Sequence, residues 1–212
     1  MRVSSRSIPR RRTPRRRRFS GGRLFLLALL LALGWLLVRP GFEPFQPDTI
    51  ILHHSASPPF VNGRPVDAAA IDAMHARRGF GTVYQGVVYH IGYHYVILPD
   101  GTVQRGRPVG CVGAHARFHN RHAIGICVVG DFSTASNPAG ERGAVRPTPA
   151  QMEAVERLCG ELMHRYRIPP GRVLRHADVG DTLCPGDRFP FQALQQSLRR
   201  GTRKPPFLPH ER

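Results

Sequence analysis

The sequence predicts an α/β (α+β) fold: a single domain with a central mixed β-sheet flanked by helices, preceded by an N-terminal membrane segment. Three observations predict it. Short runs rich in β-branched residues alternate with segments of helical periodicity, and no internal repeat interrupts them. At 212 residues the chain can bury one sizeable core with little left over for a second. An unbroken apolar run of 15 residues, Leu24 to Val38, directly follows a stretch of arginines.

Residues 1–23 carry ten arginines, among them Arg10 to Arg12 and Arg15 to Arg18, and no acid. Such a basic tail stays in the cytoplasm and sends the rest of the chain across the membrane. The run at 24–38, LFLLALLLALGWLLV, covers only about 22 Å as a helix, against a hydrocarbon core of ~30 Å. Arg23 and Arg39 at its ends can snorkel, so a single span remains open to it. It reads as a single-pass anchor in the inner membrane, with a cleaved signal peptide as the alternative. Arg16 to Phe19 resembles the core of a twin-arginine export signal. The best small-x-small site, Ala32-Leu33-Gly34, lies inside the apolar run and argues against cleavage. Both readings put the folded domain in the periplasm. Residues 39–48, RPGFEPFQPD, mix three prolines with polar residues and read as a linker.

The net charge of +17 belongs to the ends of the chain. Residues 40–198 hold 15 Lys and Arg against 13 Asp and Glu, a surplus of only two. A groove that tracks a phosphate backbone needs its surplus in the folded part, so nucleic acid is excluded as a partner.

The domain spans 49–198. Thr49 to His53, TIILH, reads as a buried strand. Asp67 caps a helix running to about Arg78, with Gly79 as its stop. Tyr93 to Leu98 and Thr102 to Gln104 flank the turn Pro99-Asp100-Gly101. Ala123 to Val129 is a second buried strand, ended by Gly130-Asp131. Residues 133–147 have loop composition. Thr148 and Gln151 then form a capping box with Pro149 at the first helical position. Met152, Val155, Cys159, Leu162, Met163 and Tyr166 come next at helical spacing, and the helix ends before Pro169. Phe189 to Leu198 reads as a short amphipathic helix, and 199–212 as a disordered basic tail. Cys127 and Cys159 fall on apolar positions and read as core residues, while Cys111 sits in a glycine-rich loop without an assigned role.

Of the 11 histidines, five stand where a histidine is ordinarily a surface or loop residue: His90, His119, His122, His164 and His210. His53 and His54 end a strand whose successive side chains point to opposite faces, so only one of the two can reach a given metal. His176 and Cys184 share one loop, eight residues apart, a spacing compatible with a common metal but weak on its own. Asp178 between them either orients a ligand histidine or caps the loop.

LHHSAS at 52–57, IGYHYVILPDGTV at 91–103, GAHA at 113–116, IGICVVGDF at 124–132 and RHADVGDTLCPG at 175–186 succeed one another in order. Together they resemble the zinc N-acetylmuramoyl-L-alanine amidases of the amidase-2 type, a family that includes the peptidoglycan recognition proteins. The resemblance covers roughly 49–198. It implies one zinc ion (Zn2+) held by His53, His176 and Cys184, with Tyr93 assisting catalysis. Thr182 stands where a phage member of the family has lysine, and is expected to add a polar contact. His115, Asn120 and Arg121 would line the substrate groove. A catalytic zinc keeps three protein ligands and an open position. The implied activity is hydrolysis of the amide between N-acetylmuramic acid and L-alanine in peptidoglycan; separately, the chain is expected to be a monomer. The alternative is a non-catalytic peptidoglycan-binding module with a structural zinc. A zinc amidase that recycles muropeptides in the cytoplasm would not need the export segment.

Overall fold

In the computed structural model residues 29–30 and 46–201 are described, and 46–201 fall within one compact unit. Of the segment expected to be an anchor, 24–38, only Leu29 and Leu30 are among them, both helical and exposed; the rest of that segment and the tail from 202 lie outside the described residues. No helix among the described residues is long and apolar enough to cross a membrane.

A five-stranded mixed sheet runs through the domain in the order β7 (Val103–Arg105), β6 (Tyr95–Ile97), β8 (Ala123–Val128), β1 (Thr49–His54), β9 (Val173–Arg175). Its centre is β1 (Thr49–His54) beside β8 (Ala123–Val128), each with every residue buried. The two pair in parallel, in a register that sets Ile51 opposite Gly125 and His53 opposite Cys127. Parallel strands covered on both faces need continuous apolar runs, and Ile50 to Leu52 and AIGICV supply them. On the flanks β9 (Val173–Arg175) joins β1 and β6 (Tyr95–Ile97) joins β8, both in parallel, while β7 (Val103–Arg105) closes the edge antiparallel to β6. The β6–β7 hairpin turns as the sequence predicts, with Leu98 N donating to Thr102 O at 2.9 Å and Gly101 at φ +86°.

The two faces of the sheet differ in what covers them. Ile50, Leu52, Ile124, Ile126 and Val128 pack against α2 (Pro149–Tyr166) and α3 (Phe191–Gly201) through Val155, Leu158, Cys159, Leu162, Leu194 and Leu198. The opposite face, with Val96, Cys127 and Val129, meets Ile71 of α1 (Ala68–Ala76) and Ile91. Ile51 and Ala123 on that same face pack against Ala116 and Val179, which come from loops. The face covered partly by loops is the one that His53 shares, and it carries the site.

The helix signals hold in detail. Thr148 Oγ1 accepts from Gln151 N at 3.1 Å and Gln151 Oε1 accepts from Thr148 N at 3.0 Å, a complete capping box. Asp67 Oδ1 accepts from Ala70 N at 2.8 Å, and Gly79 sits at φ +77° just past the end of α1. α3 begins two residues later than expected, because Phe189 turns into the core beside Phe132, and it continues through Arg199 and Arg200, so the helix overruns the expected domain end at 198. Two hairpins and one strand were not expected. β2 (Phe60–Val61) and β3 (Arg64–Pro65) turn at Asn62-Gly63, and β4 (Thr82–Tyr84) and β5 (Val87–Tyr89) at Gln85-Gly86. All four turn residues have positive φ, the geometry that matches hairpin twist.

Candidate metal centre and active site

Strand alternation separates the two adjacent histidines. His54 points to the α2 face, where its Nδ1 accepts from Phe132 N at 3.2 Å and its ring lies 6.0 Å from that of Phe132. His53 points to the loop-covered face, 1% exposed, and its Nδ1 lies 3.7 Å from Cys184 Sγ. The pairing of Leu52 with Arg175 in β9 brings His176, the next residue, alongside, and its ring centroid is 4.5 Å from that of His53.

Cys184 reaches the same point because its loop is closed on itself. Ala177 N donates to Cys184 O at 2.8 Å, and Cys184 N donates to Thr182 Oγ1 at 3.2 Å. His54 N, on the backbone of β1, donates to the sulfur at 3.4 Å. One donor atom from each of His53, His176 and Cys184 lies within 4.8 Å of the others. Two imidazoles and a thiol at this spacing are the donor set of a tetrahedral zinc site with one position left open. Among the described residues no other cluster of His, Cys, Asp or Glu offers one.

Burial disfavours the charged form of each of the three groups. Burial, followed by the neighbouring histidines His115, His176 and His54, holds His53 well below the usual imidazole range. Burial also lowers His176. It pushes the Cys184 thiol up to about 12, against the opposing pull of the His54 N–H. A cation that accepts the thiolate reverses that cost and releases the proton.

Tyr93 stands next to the cluster. Its ring is 5.1 Å from His53 and 5.5 Å from His75, and burial raises its hydroxyl well above the ordinary phenol value. Beside it an opening of about 440 Å3 is lined by Ser55, Ser57, Met74, His75, Arg77 and Arg78. None of these six stands out in the sequence as a site residue. They come from the strand-to-loop exit after β1 and from the end of α1, elements that the sequence does place.

The remaining expected site residues are distributed differently. His115 is half-buried against the strand pair: its Nδ1 lies 3.0 Å from His53 Nε2 and its Nε2 3.3 Å from Ala123 O. Asn120 braces the same loop, its Oδ1 accepting from both His115 N and Ala116 N at 2.9 Å. Arg121 is exposed in the turn before β8. Thr182 is engaged with the backbone of Cys184, as described. Asp178 is engaged with Arg175, the residue before His176. Its carboxylate accepts from Arg175 N at 2.8 Å and from Arg175 Nη2 at 2.6 Å, and the salt bridge clamps the turn that carries His176.

Comparison with known proteins places these residues in a family. The family model described as N-acetylmuramoyl-L-alanine amidase matches residues 43–187. The endolysin of Escherichia phage T7 is 35% identical over 139 residues, covering 65% of this chain and 80% of that protein. A peptidoglycan-recognition protein of Drosophila melanogaster is 29% identical over 177 residues, 77% of this chain and 87% of its own length. Among solved structures, the N-acetylmuramoyl-L-alanine amidase LysC from Clostridium intestinale superposes with a TM-score of 0.57 at 34% identity, covering 74% of this chain and 88% of that one.

Proposed function

Since the chain belongs to the N-acetylmuramoyl-L-alanine amidase family, we propose that it hydrolyses the amide between the lactyl group of N-acetylmuramic acid and L-alanine in peptidoglycan, using one zinc ion held by His53, His176 and Cys184. The observation that carries this reading is the convergence of those three donors within 4.8 Å, beside Tyr93 and an open cavity. When bound there, zinc would supply a Lewis acid for the amide carbonyl and lower the pKa of water towards about 7.

The chain's own groups do the rest. Tyr93, kept protonated by burial, donates a hydrogen bond to the oxyanion that develops on the carbonyl oxygen. Thr182 holds the Cys184 loop in place through the backbone N–H it accepts. The stem peptide, which carries carboxylates, lies in the cavity with Arg77 and Arg78, where charge-assisted hydrogen bonds fix the scissile amide over the site.

A structural zinc fills all four positions with protein ligands. The cluster offers three donors among the described residues, which supports the hydrolytic reading over a binding module. The arginine-rich start and the apolar run at 24–38 support anchorage in the inner membrane with the domain in the periplasm, beside its substrate.

The test is mass analysis of sacculus digests made with the zinc-loaded full-length chain and with its His176→Ala variant. Stem peptides with a free L-alanine amine are expected from the first and absent from the second. Peptidoglycan left intact by the zinc-loaded wild type overturns the proposal.

A further inference from the structure

Some histidine nitrogens in this domain face backbone groups that leave their protonation no freedom, and one such chain of contacts ends at the metal centre. It runs from His53 Nδ1, on the side of Cys184, through the ring to Nε2, across 3.0 Å to His115 Nδ1, and from His115 Nε2 across 3.3 Å to Ala123 O. A carbonyl oxygen can only accept, so the nitrogen that faces it carries the hydrogen. In a neutral ring the other nitrogen is then bare. His115 Nδ1 must therefore accept, His53 Nε2 must donate, and His53 Nδ1 is left with its lone pair on the side of Cys184 Sγ.

We propose that His115 is a positioning residue that locks His53 in the tautomer able to bind a metal through Nδ1, with the Ala123 carbonyl as the fixed end of the relay. This rests on the reading of His53 as a zinc ligand, and it gives His115 a role distinct from the groove-lining one expected from the sequence.

The surroundings are built for that ring. Gly125, on the same face of β8 as Ala123, leaves the space it occupies: a Cβ there would lie 2.5 Å from His115 Cδ2. A Cβ on Gly113 would lie 2.6 Å from the same atom. From the backbone side, Asn120 Oδ1 ties down His115 N and Ala116 N together. Ala123, the acceptor, is the first residue of β8 and pairs with Thr49 of β1, so both ends of the relay hang on the same strand pair. Partners of this kind fix a ligand's orientation and raise its basicity, and their loss costs about 10- to 100-fold in metal affinity.

Nitrogen-15 spectra of the histidine rings in the metal-free full-length chain read the tautomers directly. His53 and His115 are both expected to carry their proton at Nε2. Zinc alone, titrated in competition with a chelator, then reads the affinity. His115→Ala is expected to bind about 10- to 100-fold more weakly, and His115→Asn, whose Oδ1 can accept where Nδ1 did, to recover most of the loss. Should the alanine variant fail to fold, the wild-type spectra and the asparagine variant still decide. A His53 proton at Nδ1 in the wild type overturns the relay, as does an asparagine variant no better than alanine or an alanine variant equal to wild type. Zinc binding that depends on His115 in a chain that leaves sacculi intact refutes the amidase reading and leaves the relay standing.

Discussion

Gly125 and His115 share one space: the position of a Cβ on Gly125 is 2.6 Å from His115 Cγ and 2.5 Å from Cδ2. The glycine has no unusual φ, so its need is for room alone. Gly125→Ala is expected to displace the imidazole, weaken zinc binding about tenfold, and lower stability by about 1–3 kcal/mol through overpacking. Chelator competition and chemical denaturation of the same protein measure both.

Cys184→Ser removes the thiolate and keeps the loop geometry, since the contacts that close the loop are made by its backbone. Hydrolysis should fall by more than the ~100-fold that loss of an outer partner costs, while muropeptide binding persists. Calorimetry with a muropeptide beside a peptide-release assay separates the two, and substantial residual hydrolysis would remove Cys184 from the ligand set.

Tyr93→Phe deletes one hydroxyl next to His53. An oxyanion donor contributes to kcat, so kcat should drop by about 100- to 1000-fold, with KM and zinc content near wild type. A KM effect with kcat unchanged would make Tyr93 a binding residue.

Acid should destabilise the metal-free domain well above the carboxylate range. His94 is 1% exposed, accepts from Gly125 N at 2.9 Å and has Cys111 O 3.1 Å from its other nitrogen; burial lowers its pKa from 6.5 to about 4. Between those values the unfolded chain binds a proton that the folded chain refuses. The stabilisation is whole above pH 6.5 and is lost as pH falls towards 4, amounting to roughly 3 kcal/mol for this one group. His94→Gln should flatten the pH dependence of denaturant midpoints over that interval, and an unchanged slope would refute the assignment.

Much of the fold is legible in the sequence because the informative signals are local. The capping box at Thr148, the stop at Gly79 and the turn at Gly101 depend on neighbours within a few residues. So does the separation of His53 from His54, which needs only strand alternation. Asn62-Gly63 is equally local, but the strands beside that hairpin have two residues each, too few to show an alternating pattern. What cannot be read is the meeting of distant segments. That His115 faces Gly125 comes from a loop folding back onto β8, and the short strand β9, VLR, is indistinguishable by pattern from the loop around it. Family resemblance singles out His53, His176 and Cys184, but a shared motif records that a residue such as His115 is present and not which way its ring faces.

The loop clasp between Ala177 and Cys184 has a consequence for assembly. His176 and Cys184 lie eight positions apart on one short segment, so they can meet before the domain is complete, whereas His53 arrives only when β1 docks beside β9. Full affinity for the ion is thus a readout of that docking. By mass action an ion held a thousandfold above its dissociation constant adds about 4 kcal/mol to the folded state. An ion held by these three donors would act as a latch on the middle of the sheet, and its chelation should loosen the fold as well as silence the chemistry.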